Sequence, residues 1–238
     1  MDEAIDCGCV IHGDLYSWDY VVRLRNMICR YMDRPVKFHV FTEPERSVPS
    51  DMIRHDLRVW PGISGRRRAW WYKMQMFDPR HQLGPFLYMD LDVVIVRSLS
   101  WILDLDTRYF WSVRDFRRLW RPTWQVANTS LMYWDASQWS EIWQDFAARD
   151  INTTVKQWPG DQDYITHIVG ANRLKFVPQD MVQSWRWQIQ DGGMDFRNRT
   201  YRRPGTGSVI PPEVSVIVFH GNPKPHDTHD SVIHQLWT

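Results

Sequence analysis

Short apolar runs alternate along this chain with segments in which apolar positions recur every three or four residues, a pattern that predicts an α/β domain with a largely parallel sheet. Cys9-Val10-Ile11 closes a first strand before His12-Gly13-Asp14, and from Ser17 the positions Val21, Leu24, Ile28 and Tyr31 follow helical spacing. Val36 to Phe41 reads as a second strand, stopped by Thr42-Glu43-Pro44, and Arg54 to Trp60 as a third with Pro61-Gly62 as its turn. Ala69 to Phe77 reads as a helix. After Gly84-Pro85, the run Phe86-Leu87-Tyr88-Met89 suits a strand buried on both faces, and Val93 to Val96 continues past the acids that follow it. Trp139, Ile142, Trp143 and Phe146 mark another helix, Asp161 to Val169 a short one ended by Gly170, and Val214 to Phe219 the last strand. No repeat or linker interrupts the pattern, so residues 1–238 are expected to form one domain.

Composition narrows the classes. With 238 residues, 43% hydrophobic and 24% charged, the chain is neither disordered nor collagen-like and can bury a sizeable core. Lys+Arg at 29 against Asp+Glu at 28 leaves a net charge of +1, so no overall attraction to nucleic acid is expected and any charge-based function must be local. Cys7, Cys9 and Cys29 form no metal-ligand ladder and are odd in number, which argues for a reducing compartment over a disulfide scaffold or a structural zinc. Met1 to Asp6 is acidic where a secretory signal is basic, and no apolar run approaches the roughly 20 residues of a membrane span. A soluble, cytoplasmic protein without a transmembrane segment is the expectation. The 15 Trp exceed what core filling needs and suit half-buried surfaces and binding clefts.

Asp90-Leu91-Asp92 follows four apolar residues, so its acids stand at the carboxyl end of a buried strand, where open α/β sheets bind ligands. Two unpaired carboxylates repel each other; a divalent cation offsets both and can bridge diphosphate oxygens. The plainer reading of the same spacing is a pair of turn acids. The last strand also ends in one potential ligand, His220, followed by Gly221 and Lys224. If both strands share a sheet, Asp92 and His220 meet at one metal, and carboxylate, imidazole and phosphate donors favour Mn²⁺, then Mg²⁺, over zinc. Gly221 lets the backbone approach the phosphates, and Lys224 supplies a point charge to a leaving diphosphate.

Four segments in order carry a family likeness: Phe86 to Ile95 with its two acids, Asn128-Thr129-Ser130-Leu131-Met132, Gly160-Asp161-Gln162-Asp163-Tyr164-Ile165, and Phe219 to His226. Together they resemble the retaining, nucleotide-sugar-dependent glycosyltransferases of family 8 and their bacterial relatives, which implies a single GT-A type domain with a Rossmann-like, mostly parallel central sheet flanked by helices. The likeness extends from about the first strand to His226. It implies that Asp90 touches both the donor ribose and the metal, that Asp92 and His220 are metal ligands, and that Lys73 lies near the donor. Asn128 matches a residue beside the reacting sugar, although Ser130 stands where the family has glycine. Asp161 and Gln162 match an Asp-Gln pair at the anomeric centre and the sugar hydroxyls; Asp161 also suits the N-cap of its helix. Asp115 falls where a further donor-sugar acid is found, and Tyr16 where a base could stack. Gly221 follows His220 directly, one residue closer than the family spacing. Arg66-Arg67-Arg68 reads as a solvated face or an attractor for an anionic donor.

The expected activity is metal-dependent transfer of a sugar from a nucleoside diphosphate sugar, UDP favoured, to an acceptor hydroxyl, with retention implied by the resemblance alone. A metal-dependent phosphoester or nucleotide-sugar hydrolase is the alternative, but such sites normally hold a second metal roughly 4 Å away, for which the sequence offers no second ligand cluster. A carbohydrate-binding protein without catalysis explains the tryptophans and leaves the acids, His220 and Lys224 without a role. Trp139 and Trp143 belong to a core stripe, whereas Trp120, Trp124, Trp185 and Trp187 are expected to line a cleft for a glycan or glycolipid acceptor, with peripheral membrane contact compatible with such a surface.

Overall fold

The computed structural model describes residues 4–60, 63 and 69–238. Strand β1 (Ile5–Val10) leads into helix α1 (Trp18–Tyr31), β2 (Val36–Thr42) and β3 (Ile53–Asp56); a 3-10 helix (Ala69–Phe77) then precedes β4 (Pro85–Met89) and β5 (Val93–Ile95). β6 (Phe110–Arg114) and β7 (Ala127–Asp135) are followed by α2 (Glu141–Ala148), α3 (Ile151–Gln157) and α4 (Asp161–Val169). The chain closes with β8 (Leu174–Phe176), β9 (Val182–Ser184), the hairpin β10 (Met194–Asp195) and β11 (Thr200–Tyr201), β12 (Val216–Val218) and α5 (Ser231–Leu236).

Among the described residues seven strands form the central sheet, in the order β3-β2-β1-β4-β7-β6-β8. The run from β3 to β4 is parallel, β7 is antiparallel to both of its neighbours, and β8 is parallel to β6. Successive strand residues point to opposite faces, and β4 uses both. Leu87 and Met89 join the core under α1, whereas Phe86 and Tyr88 join the core under the 3-10 helix, α2 and α4. Gly8 of β1 is needed for close packing: a Cβ there would stand 2.5 Å from the His39 carbonyl oxygen and 2.9 Å from Phe86 Cζ. Among the described residues no helix is long and apolar enough to cross a membrane.

Three sequence expectations are corrected. The third strand is shorter, Ile53–Asp56, because Leu57 to Trp60 leave the sheet edge. Ala69 to Phe77 is a 3-10 helix; its seven consecutive buried residues, Trp71 to Phe77, provide no polar face to set a 3.6-residue period. The strand before the acids and the last strand do not share a sheet: β4 belongs to the large one, whereas β12 pairs with β5, the strand after the acids, in a three-stranded sheet β5-β12-β9. The Asp90 to Asp92 turn is the hand-over between the two. Its ends are tied to both, with Asp90 N donating to Ser130 O (2.9 Å) and Phe219 N donating to Asp92 O (3.0 Å).

Candidate active site

The hand-over turn, the middle of β7, the start of α4 and the loop after β12 converge on one cleft with two connected lobes. The first, with about 680 Å³ of open space, is lined by Val10, His12, Leu15, Tyr16, Trp70 and Tyr88, and the second, about 800 Å³, by Asn128, Thr129, Asp161, Gln162, Arg117 and His220. Trp70, Lys73, Asp90 and Asp92 line both.

Local structure explains the convergence. β7 carries an irregularity opposite Ser112/Val113: Met132 pairs with Ser112 but Asn128 with Val113, so Thr129 to Leu131 are released from β6 and remain on the β4 side, beside Asp90. Asn128 Oδ1 accepts from Ser130 N at 3.1 Å and fixes this turn. The N-cap of α4 is Gly160, in extended backbone, and Asp161 is the first helical residue, so its carboxylate does not cap the helix. It accepts instead from Thr129 Oγ1 at 2.6 Å and pairs with Lys73 Nζ at 3.4 Å.

Lys73 is the hub of the inner wall. Its ammonium lies 2.8 Å from Asp90 Oδ1 and donates to Thr129 Oγ1 at 3.2 Å, while Tyr88 Oη donates to Asp90 Oδ1 at 2.6 Å. Burial opposes the lysine charge, but Asp161 and Asp90 outweigh it and hold the ammonium above its ordinary pKa. Asp92 has a different set of partners, accepting from Tyr16 Oη at 2.9 Å and from Lys224 Nζ. Burial raises the Asp92 carboxyl above its usual range, Lys224 pulls against that, and Asp90 adds to it. Each acid therefore faces one ammonium and one tyrosine hydroxyl.

His220 lies across the second lobe with Nε2 2.6 Å from Ser184 Oγ, its ring between Phe116 (5.2 Å, stacked) and Trp187 (4.2 Å, edge-on). Burial first, then Arg186 and Lys224, lower its pKa to about 4, so the imidazole is neutral and able to donate a lone pair at pH 7. Two carboxylates and a neutral imidazole on one cavity are a donor set suited to a hard divalent cation. Their present partners are lysines and hydroxyls, and among the described residues no three such side chains converge as a ready-made cage. The donor chemistry fits a metal; an ion held there would take the place of the Lys224 and Tyr16 contacts to Asp92.

The remaining expected residues divide clearly. Asn128, Asp161 and Gln162 line the second lobe and Tyr16 the first, with Tyr16 already tied to Asp92 through its hydroxyl. Asp115 stands behind the wall: it caps a short 3-10 helix through Arg117 N and accepts from Gln162 Nε2 at 3.3 Å, orienting that amide. Gly221 adopts φ 74° and has no atom within 4 Å of a Cβ position, so glycine is needed there for backbone conformation. Trp120 and Trp187 meet at 4.8 Å next to His220, and Trp124 lies under Arg117 and Arg121. Trp185 is a correction: it is 2% exposed and stacks on Phe219 at 5.1 Å, so it packs the core and offers no face to an acceptor. Arg66, Arg67 and Arg68 lie outside the described residues.

Sequence reasoning missed Tyr88, Thr129, His12 and Arg117. Tyr88 is findable, since a residue two before Asp90 on a strand shares its face. Thr129 sits inside a recognised segment, but its hydroxyl gains meaning only from α4, which packs on β7 from thirty residues away.

No protein-family model matches the sequence, and no curated protein matches it by sequence. Solved structures share the fold. An active-site mutant of LgtC superposes with a TM-score of 0.69 at 13% identity, covering 98% of this chain and 94% of that one. The galactosyltransferase LgtC in complex with donor and acceptor sugar analogues gives 0.65 at 14%, over 98% of this chain and 94% of that one. The glycosyltransferase GlyE of Streptococcus pneumoniae TIGR4 gives 0.64 at 13%, over 99% of this chain and 60% of its own. At such identity the likeness speaks for architecture, and function must be argued from the site. The chain has the GT-A-type, mixed α/β fold of these glycosyltransferases.

Proposed function

We propose that this protein transfers a sugar from a nucleoside diphosphate sugar, with UDP as the favoured nucleotide, to an acceptor hydroxyl, with a divalent cation, Mn²⁺ or Mg²⁺, at Asp90, Asp92 and His220. The observation that carries the reading is the two-lobed cleft in which the paired acids, a neutral imidazole and Lys73 share one space where two sheets meet, with Lys224 paired to Asp92. The first lobe, walled by Leu15, Tyr16, Trp70 and the His12 ring stacked on Tyr72 at 3.7 Å, suits a flat nucleoside. The polar second lobe suits a sugar.

When bound, the cation neutralises diphosphate oxygens as the leaving group gains charge. Lys224, freed from Asp92, adds its ammonium to that charge without any proton changing hands. Lys73 holds Asp90 and Asp161 in place. Gln162, its amide nitrogen held by Asp115, presents its carbonyl oxygen to sugar hydroxyls, and the Asp161 carboxylate supports positive character at the anomeric carbon. Retention of configuration rests on the motif resemblance.

The test is thermal unfolding with UDP, GDP and their sugars, each with and without Mn²⁺. A ligand at about 100 times its Kd adds about 2.7 kcal/mol, or about 5–10 °C for a chain of this length. Selective stabilisation by one nucleotide with Mn²⁺, accompanied by slow release of nucleoside diphosphate, supports the proposal; no shift with any of them rejects it.

A further inference from the structure

Beside the second lobe lies a surface that the proposed chemistry does not use. Two stretches, 114–124 and 185–203, meet there through their aromatic rings: Trp120 packs against Trp187 at 4.8 Å and Phe196 at 4.6 Å, and Trp187 reaches Phe196 at 6.0 Å. Arg117 and Arg121 flank Trp124 at 5.2 and 5.8 Å, Arg186 precedes Trp187, and Arg197 and Arg199 occupy the turn between β10 and β11, next to Phe196. All five arginines are exposed, as are Arg202 and Arg203 on the far side of the same hairpin.

Their charge is only partly compensated: Asp163 faces Arg117 and Asp195 faces Arg202, but neither closes an ion pair. Among the described residues none of these seven forms an ion pair, whereas Arg25, Arg46, Arg54, Arg80, Arg108, Arg149 and Arg173 elsewhere each do. The three acids within the two stretches are occupied otherwise: Asp115 by Arg117 N and Gln162, Asp191 by Gly207 N, and Asp195 by Arg197 N and Asn198. In a chain of net charge +1, that concentrates positive charge on one face.

We propose that this arginine and aromatic face docks the protein on an anionic phospholipid bilayer. Basic side chains near such a surface each contribute favourably within a Debye length, and half-buried tryptophans suit the interface between headgroups and acyl chains. The rings argue against single-stranded RNA, which needs free aromatic faces for base stacking. Here Trp120, Trp187 and Phe196 pack on one another, Trp187 at near right angles to both. Arg117 lines the second lobe itself and Trp187 touches His220, so the cavity opens beside the docked face. On the sugar-transfer reading, which this last step alone rests on, a bilayer there presents lipid-borne hydroxyls to the site.

Co-sedimentation with vesicles of phosphatidylcholine containing one third phosphatidylglycerol tests this without any sugar donor, so its outcome is independent of the proposed reaction. Binding is expected at about 0.1 M salt and is expected to vanish at about 0.5 M or on pure phosphatidylcholine. The exposed double variant Arg197→Glu/Arg199→Glu, checked for native circular dichroism, should lose at least about twenty-five-fold in affinity, at about fivefold per arginine charge removed. Trp120→Ala should also weaken binding, and Lys156→Glu on α3 should leave it unchanged. No vesicle binding, equal binding by the double variant, an equal loss in Lys156→Glu, or binding of single-stranded RNA in place of vesicles each overturns the proposal.

Discussion

Replacing Lys73 with methionine keeps the length of a side chain that is 9% exposed and removes its charge from between two acids. At 2.8 Å from Asp90 and 3.4 Å from Asp161, the attractions amount to about 6 and about 5 kcal/mol at an effective dielectric near 20. Desolvation of several kcal/mol per ion offsets most of this, so the pair adds little net stability, yet removal of one partner strands the others. Asp161, with a side chain 8% exposed, cannot recover its water. Lys73→Met should therefore cost about 3–5 kcal/mol. With a urea m-value of about 3 kcal/mol per M, the midpoint falls by about 1–1.7 M. Adding Asp161→Asn removes the stranded charge, so the double variant should recover about 1–3 kcal/mol relative to additivity. A Lys73→Met midpoint within about 0.2 M of native, or strictly additive losses, would refute the hub role of Lys73.

Other consequences follow from single contacts. Gly8→Ala drives a Cβ to 2.5 Å from the His39 carbonyl and should cost about 2 kcal/mol; calorimetry should show a Tm lower by about 4–8 °C, and an unchanged Tm would contradict the close approach. Thr129→Val removes the hydroxyl shared by Lys73 and Asp161 and should lower turnover about tenfold or more with donor affinity kept, while Thr129→Ser retains activity; equal rates for the two variants would count against the contact. Burial, then His81 and His39, push His55 down to about 4, below its ordinary 6.5. The unfolded chain thus takes up a proton that the folded one refuses, so this contribution is complete above pH 6.5, is lost as pH falls toward about 4, and amounts to about 2 kcal/mol after allowance for solvent screening. In His55→Phe that acid-side loss should shrink, as urea midpoints between pH 7 and 4 would report; an unchanged slope would exclude His55 as its source.

The local parts of this fold are legible and the non-local parts are not. Helix α4 begins at Asp161 and ends at Gly170 as the apolar spacing and glycine indicate. The acids do stand at a strand end. The sequence contains no sign that β4 and β5 join different sheets, because strand pairing is settled by distant partners, β4 with β1 and β7 and β5 with β12 over a hundred residues on. Strand β7 escapes a pattern reading for a related reason: Asn128, Thr129 and Ser130 are polar yet buried, satisfied by contacts from β4, α4 and the 3-10 helix that no local window contains. Trp185 shows the converse, since Trp185-Arg186-Trp187 reads as one exposed motif but its first ring faces Phe219 and only the others reach the surface.

The most direct measurement of the central claim is the release of nucleoside diphosphate from a nucleoside diphosphate sugar in the presence of Mn²⁺, followed by chromatography for the native protein, Asp92→Asn and His220→Ala. The account predicts slow release to water and faster release with an acceptor by the native protein, and a loss of at least about a hundredfold in both variants. Undiminished release by Asp92→Asn and His220→Ala, or no turnover of any donor by the native protein, would contradict it.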